Sequence, residues 1–252
     1  MMSSRAPLLA RLLRPLRPSA DHGFRPPPRA LSEGLWVVDR KVRLPGGVRI
    51  PTRATLVRLA NGLLVIAPPA PDEDTCRAIA AIAPVRHVVA PNSFHYVFAA
   101  QFLQAFPNAA LHLVPGLRER CPELPPAETL ADRPPPAFEA TLDLALHGPL
   151  RGLSEAVFLH RPTRTLLLCD LAFNVQAADT LREELFWRIA GVWRRFGPSR
   201  TVRLTLLRDR EAVGRLVARI LDWDFVRIVV AHGDVVERDA RPTFERAFAA
   251  WS

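Results

Sequence analysis

Apolar residues in this chain come mostly in short runs bounded by glycine, proline or charge, a pattern that predicts strands more often than long helices. Leu35-Trp36-Val37-Val38 is the first such run. Arg49 to Leu59 and Leu63 to Ala67 flank Asn61-Gly62, a dipeptide whose residues tolerate positive φ and which therefore predicts a tight hairpin. Val85 to Ala90 and Ala110 to Val114 read as further strands, and β-like alternation returns at Phe138 to Leu146 and Ala156 to Leu159. Thr165 to Cys169 and Val226 to Val230 are apolar without alternation, which predicts strands buried on both faces. Helical spacing covers Pro71 to Ala83, Val97 to Phe106, Ala178 to Phe196, Glu211 to Leu221 and Pro242 to Trp251. The first of these opens on Asp72 and Asp74 and the last on a proline, both suited to a helix start. The order of strands, helix, strand, helix, strands, helix, strand, helix predicts an α/β fold with more hairpins than a purely parallel one.

Two stretches break this pattern. Residues 115–137 carry seven prolines, from Pro115 to Pro136, which predicts a long surface excursion. Residues 1–30 hold six arginines against the single Asp21 and end in Pro26-Pro27-Pro28 and Arg29. They are expected to be a disordered basic, proline-rich tail, leaving 31–252 as one domain. Within the tail, Leu8 to Leu16 is amphipathic and acid-poor, as in an organelle transit peptide, although an untargeted extension is the preferred reading.

Composition narrows the class without naming a function. The 252 residues are 49% hydrophobic and 23% charged, ordinary for a globular protein with room for a large core. No apolar window is long enough to cross a membrane, so the expectation is a cytoplasmic protein with no membrane partner. The net charge of +9 comes from 34 basic residues, of which Lys41 is the one lysine. Such an arginine skew follows from a GC-rich genome and weakens the case for nucleic acid. Cys76, Cys121 and Cys169 are odd in number and widely spaced, which argues against a disulfide framework or a four-thiolate zinc site.

Candidate chemistry lies just beyond three strand ends. Val89-Ala90 runs into the segment carrying His95, Leu168-Cys169 into Asp170, and Val229-Val230 into His232. Groups placed there converge on one crevice in open α/β folds. Two imidazoles and a carboxylate suit zinc, iron or manganese. Each residue also has a plain structural use: a core or helix-start histidine, a capping aspartate, a turn histidine before Gly233.

From about Leu35 to Trp251 the chain resembles the metallo-β-lactamase superfamily. Leu166 to Phe173 is similar to the family's strand ending in its metal-bridging Asp, here Asp170. Val229-Val230-Ala231-His232-Gly233 is similar to the strand ending in the last His ligand, and Val88 to Pro107 to the first-motif loop and its helix. The resemblance implies an αββα sandwich and a metal-dependent hydrolase. It also implies loss. Where the family has His-x-His-x-Asp-His, this chain has Ala90-Pro91-Asn92-Ser93-Phe94-His95, with His95 on the final His or, one residue out of register, on the Asp with Tyr96 on the His. The family's middle His falls near Leu150 to Gly152, where none stands, and His147 is displaced. The dinuclear site cannot be intact, and His95, Asp170 and His232 match the second metal's ligands.

Three functions follow. The first is a mononuclear hydrolase holding one divalent metal on His95, Asp170 and His232, with Asp170 as the catalytic group and Asn92 and Tyr96 against a small-molecule substrate. The second is a non-catalytic ligand- or protein-binding scaffold without metal, in which Phe94, Tyr96 and Phe98 line the old site. The third, nucleic-acid binding through the arginines around Trp187 to Arg210, is disfavoured because Glu183, Glu184, Asp209 and Glu211 interrupt the run.

Overall fold

The computed structural model describes residues 18–21, 23–147, 154–206 and 209–251. Two twisted sheets carry the chain. The first contains β1 (Ser19–Ala20), β2 (Arg29–Ser32), β3 (Leu35–Arg43), β4 (Arg49–Leu59), β5 (Gly62–Ile66), β6 (Val85–Ala90), β7 (Ala110–Leu113) and β8 (Ala127–Thr129). Its order is β1-β3-β4-β5-β6-β7-β8, with β2 also on β3. The β3–β4–β5 meander is antiparallel, whereas β5 to β8 run parallel through crossovers. The second sheet contains β9 (Leu142–His147), β10 (Glu155–His160), β11 (Thr165–Leu167) and β12 (Arg227–Val229), in the order β12-β11-β10-β9.

Burial along β10 shows why this is a four-layer molecule. All six of its residues are buried, yet they divide by period two. Ala156 and Phe158 join the core shared with the first sheet, including Leu35, Leu56, Leu64 and Val88. Val157 and Leu159 face the opposite way, into a second core with helices α7 (Arg210–Leu221) and α8 (Ala240–Phe248), through Val213, Val217, Phe244 and Phe248. On the far side of the first sheet, α1 (Glu73–Ile82) supplies Ile79, and α2 (Ala99–Ala105) supplies Ala99 and Phe102. Four shorter helices complete the set: α3 (Leu117–Arg120), α4 (Pro136–Glu139), α5 (Leu181–Ala190) and α6 (Arg200–Leu206). The result is the expected αββα sandwich.

The differences from the sequence expectation are local. Ser19–Ala20 pairs with Val42 and Arg43, and Arg29–Ser32 with β3, so strand structure begins inside the stretch expected to be a disordered tail. Residues 1–17, including Leu8 to Leu16, lie outside the described residues. The proline-rich stretch is not a surface excursion: it contains α3, β8 and the start of α4 and buries Leu117, Cys121, Leu124 and Leu130 in the core, and Phe138 sits in α4 rather than in a strand. Helix α5 is shorter than 178–196 because Thr180 accepts a hydrogen bond from Glu183 N at its start and Gly191, at φ +77°, ends it. Helix α6 was not foreseen; Ser199 Oγ accepts from Val202 N at 3.3 Å at its start. The Asn61-Gly62 hairpin is present, and a Cβ on Gly62 would stand 2.4 Å from Pro84 O.

Three histidines sit inside this frame rather than on it. His112 on β7, His147 on β9 and His160 on β10 are each 2% exposed or less, and burial pulls all three down to about 4. They stay neutral in the folded chain between about pH 4 and 6.5, while the unfolded chain takes up their protons below about 6.5. Their contribution is therefore complete above pH 6.5 and is lost as pH falls toward 4. Urea unfolding at pH 7.5 and 5.0 should show a loss on the order of 1–2 kcal/mol per histidine, and His160→Gln should flatten part of that slope.

Candidate metal centre

The site is assembled by three strand extensions that the rest of the fold holds in place. After β6, Asn92 Oδ1 accepts from Phe94 N at 2.9 Å and His95 N at 2.8 Å, a side-chain turn that folds the loop and sets His95. The same loop is tied to the second sheet, because Ala156 N donates to Pro91 O at 2.8 Å.

The other two arms come from neighbouring parallel strands. Leu167 on β11 pairs with Val229 on β12, and Asp170 and His232 each lie three residues beyond that pair. Arg53, buried on β4, donates to Val230 O at 3.1 Å and Gly233 O at 2.7 Å and is itself held by Asp39 at 2.7 Å. It therefore grips the carbonyls on both sides of His232. Asn174 N donates to His232 O at 3.0 Å, and the chain passes so close that a Cβ on Gly233 would stand 2.1 Å from Asn174 O.

These arms bring His95, Asp170 and His232 together, with side chains 10%, 8% and 7% exposed. His95 Nε2 and His232 Nε2 are 3.1 Å apart, His232 Nε2 is 3.0 Å from Asp170 Oδ1, and His95 Nε2 is 3.4 Å from Asp170 Oδ2. His95 is the residue that this loop brings to Asp170 and His232, in keeping with either register of the resemblance. Tyr96 packs against the core between the sheets. Asn92 is fully buried and directed at two carboxylates, a supporting place rather than a substrate-facing one. The stretch 150–152, where the resemblance places a further His, lies outside the described residues, and His147 is buried at the end of β9.

Glu155, which the sequence reading did not single out, is the central support. Its carboxylate accepts from Cys169 N at 2.8 Å, Asp170 N at 2.8 Å, Leu171 N at 3.0 Å and Asn92 Nδ2 at 3.2 Å. Burial, and then the charge of Asp170, push the Glu155 carboxyl up, with these donors opposing. Burial would also raise Asp170, but the two imidazoles beside it, His95 first and then His232, hold it well below the usual carboxylate range. The signal in the sequence was an acid opening the otherwise apolar run Glu155 to Leu159, since a buried carboxylate requires donors.

The donor set fits one divalent ion. His232 Nδ1 is 2.6 Å from Pro51 O, and a carbonyl only accepts, so Nδ1 carries the proton and Nε2 points at Asp170 and His95. Phe173 stacks on the ring at 5.0 Å and 8°, fixing its plane. Two ring nitrogens 3.1 Å apart thus face the Asp170 carboxylate, one oxygen each, at 3.0 and 3.4 Å, close to the roughly 3.3 Å between neighbouring ligands in a tetrahedral zinc site. A ligating histidine anchored through its other nitrogen is the usual arrangement around a metal.

A family model described as a domain of unknown function (DUF4336) matches residues 32–181, more than half of the chain. The chain belongs to the DUF4336 family. No curated protein matches this DUF4336 chain by sequence. Solved metallo-β-lactamases share its fold. One from Erythrobacter litoralis, with β-mercaptoethanol in its active site, aligns at TM-score 0.63 and 17% identity over 92% of this chain and 97% of its own. The FIM-1 enzyme of Pseudomonas aeruginosa in its mono-zinc form aligns at 0.59 and 14% over 89% and 93%. One from Hirschia baltica aligns at 0.60 and 12% over 90% and 98%. The DUF4336 chain therefore has the metallo-β-lactamase fold, as its sequence led us to expect.

Gly233 offers a direct check on how the His232 arm is built. Gly233→Ala places a methyl inside the Asn174 peptide at a φ of +101°, where a side chain is strained in any case. We expect a loss of about 2–4 kcal/mol in urea unfolding, whereas Gly116→Ala, also at positive φ (+78°) but with nothing within 4 Å, should lose only the backbone strain, about 1 kcal/mol.

Proposed function

We propose that this DUF4336 protein is a mononuclear metal-dependent hydrolase acting on a small molecule. The carrying observation is the convergence of His95 Nε2 and His232 Nε2 on the Asp170 carboxylate, with the Pro51 carbonyl holding the His232 proton on the far nitrogen. In that tautomer Nε2 meets a carboxylate oxygen at 3.0 Å lone pair to lone pair, a contact that needs a cation or an added proton. His95, Asp170 and His232 would hold the ion; zinc, iron and manganese all suit the donor set. When bound, such an ion supplies Lewis acidity, polarising a carbonyl or phosphoryl oxygen and acidifying water.

The chain's own residues do the remaining work. Asp170 stays ionised at working pH, Phe173 and Pro51 keep His232 from rotating, and Arg53 keeps its backbone from drifting. Phe94, 45% exposed beside His95, offers an apolar rim for the body of a substrate. In the arginine-rich stretch from Trp187 to Arg210, Arg188 is held by Glu184 and lies over Trp193, which takes it out of a phosphate-binding face.

A second reading rests on the same burial. With a proton on His232 Nε2, the triad is a satisfied hydrogen-bonded network inside a scaffold that binds without catalysing. Elemental mass spectrometry of untagged protein separates the two. We expect close to one equivalent of zinc, iron or manganese, falling severalfold or more in Asp170→Ala and His232→Ala while the fold persists by circular dichroism. Folded wild type that takes up no metal after reconstitution would sink the hydrolase reading and leave the scaffold.

A further inference from the structure

The interior side of the centre contains two carboxylates, and no side chain of opposite charge contacts Glu155 there among the described residues. Glu155 and Asn92 are both 0% exposed. One nitrogen, Asn92 Nδ2, stands 2.8 Å from Asp170 Oδ2 and 3.2 Å from Glu155 Oε2, giving one N–H to each carboxylate. The orientation of this amide is fixed from its other end. Asn92 Oδ1 receives the Phe94 and His95 N–H groups, so the oxygen is committed as acceptor and the nitrogen must face the acids. Glu155 takes its remaining hydrogen bonds from the Cys169, Asp170 and Leu171 amides.

Two buried carboxylates brought to a common neighbour normally require a cation between them. Here a neutral amide occupies that place. We propose that Asn92, backed by Glu155, substitutes for a second cation and restricts the centre to a single ion. Asp170 would then serve one ion: Oδ1 faces His232 and Oδ2 faces His95, and the inner side of Oδ2 is occupied by the Asn92 N–H. This inference rests on the metal reading above and adds to it the residue that sets the stoichiometry. Glu155 is a positioning residue, since it carries the turn bearing Asp170.

The test is an ion count on the full chain. Metal-free wild type and Asn92→Asp are titrated with Zn2+ and, separately, Mn2+, with bound ions counted by native mass spectrometry and Tm followed at each step. Asn92→Asp keeps the acceptor used by Phe94 and His95 N–H but replaces the donor with a third carboxylate. Wild type should bind one ion, with its Tm levelling off at one equivalent. Asn92→Asp should start with a lower Tm, bind a second ion, and recover only beyond one equivalent. Two ions on wild type would overturn the inference and leave the metal centre standing; no ion on wild type would overturn both. A variant that binds one ion, with the metal-free Tm of wild type, would remove Asn92 from the role. If Asn92→Asp folds only in excess Mn2+, its count there decides against the wild-type count.

Discussion

A carboxylate sealed from water and fed by three consecutive backbone N–H groups holds much of the centre in place. Glu155 opens β10, the strand whose two faces serve the two cores, and its side chain receives the amides of residues 169–171. The turn that carries Asp170 therefore takes its shape from a side chain fifteen residues earlier, not from its own sequence. Through Asn92 the same carboxylate reaches the loop after β6, which belongs to the other sheet. An uncompensated carboxylate at this depth would be prohibitively unfavourable, so turn, loop and strand start are ordered together or not at all.

The histidine arm uses different means to the same end. Arg53 reaches from the first sheet to carbonyls of the second, and Asp39 neutralises it from its own sheet. Pro51 and Phe173 then fix the ring's proton and its plane. Every constraint on His232 comes from an element distant in sequence. A centre held in this way is preorganised, with little side-chain freedom left to lose when a ligand arrives.

Much of this was legible in the chain and some was not, for identifiable reasons. Strands β5 and β11 announce themselves because buried strands in the middle of a sheet are runs of Leu, Val and Ile, β6 by its Val-Val-Ala end, and β4 by the Asn61-Gly62 turn that follows it. His95, Asp170 and His232 could be found because each follows such a run. Arg53 could not, because a single charge in a strand looks the same whether it meets water or buried carbonyls, and Glu155 showed only as an acid opening an apolar run. The edge strands β1, β2 and β8 are short and polar, and only their partners make them strands. Helix α6 was masked by its arginines, which read as a surface patch rather than as a helix start after Ser199.

The parallel pairing of β11 with β12 has a consequence for how this protein can change over time. Asp170 and His232 stand the same number of residues past one paired position, Leu167 with Val229. Adding or deleting a single residue in either arm would shift its side chain by about 3.3 Å along the strand direction, as far as the two side chains now stand from one another. Substitutions can be absorbed there one atom at a time, but changes in length cannot. Length changes compatible with this geometry therefore fall outside the two tripeptides that end on Asp170 and His232.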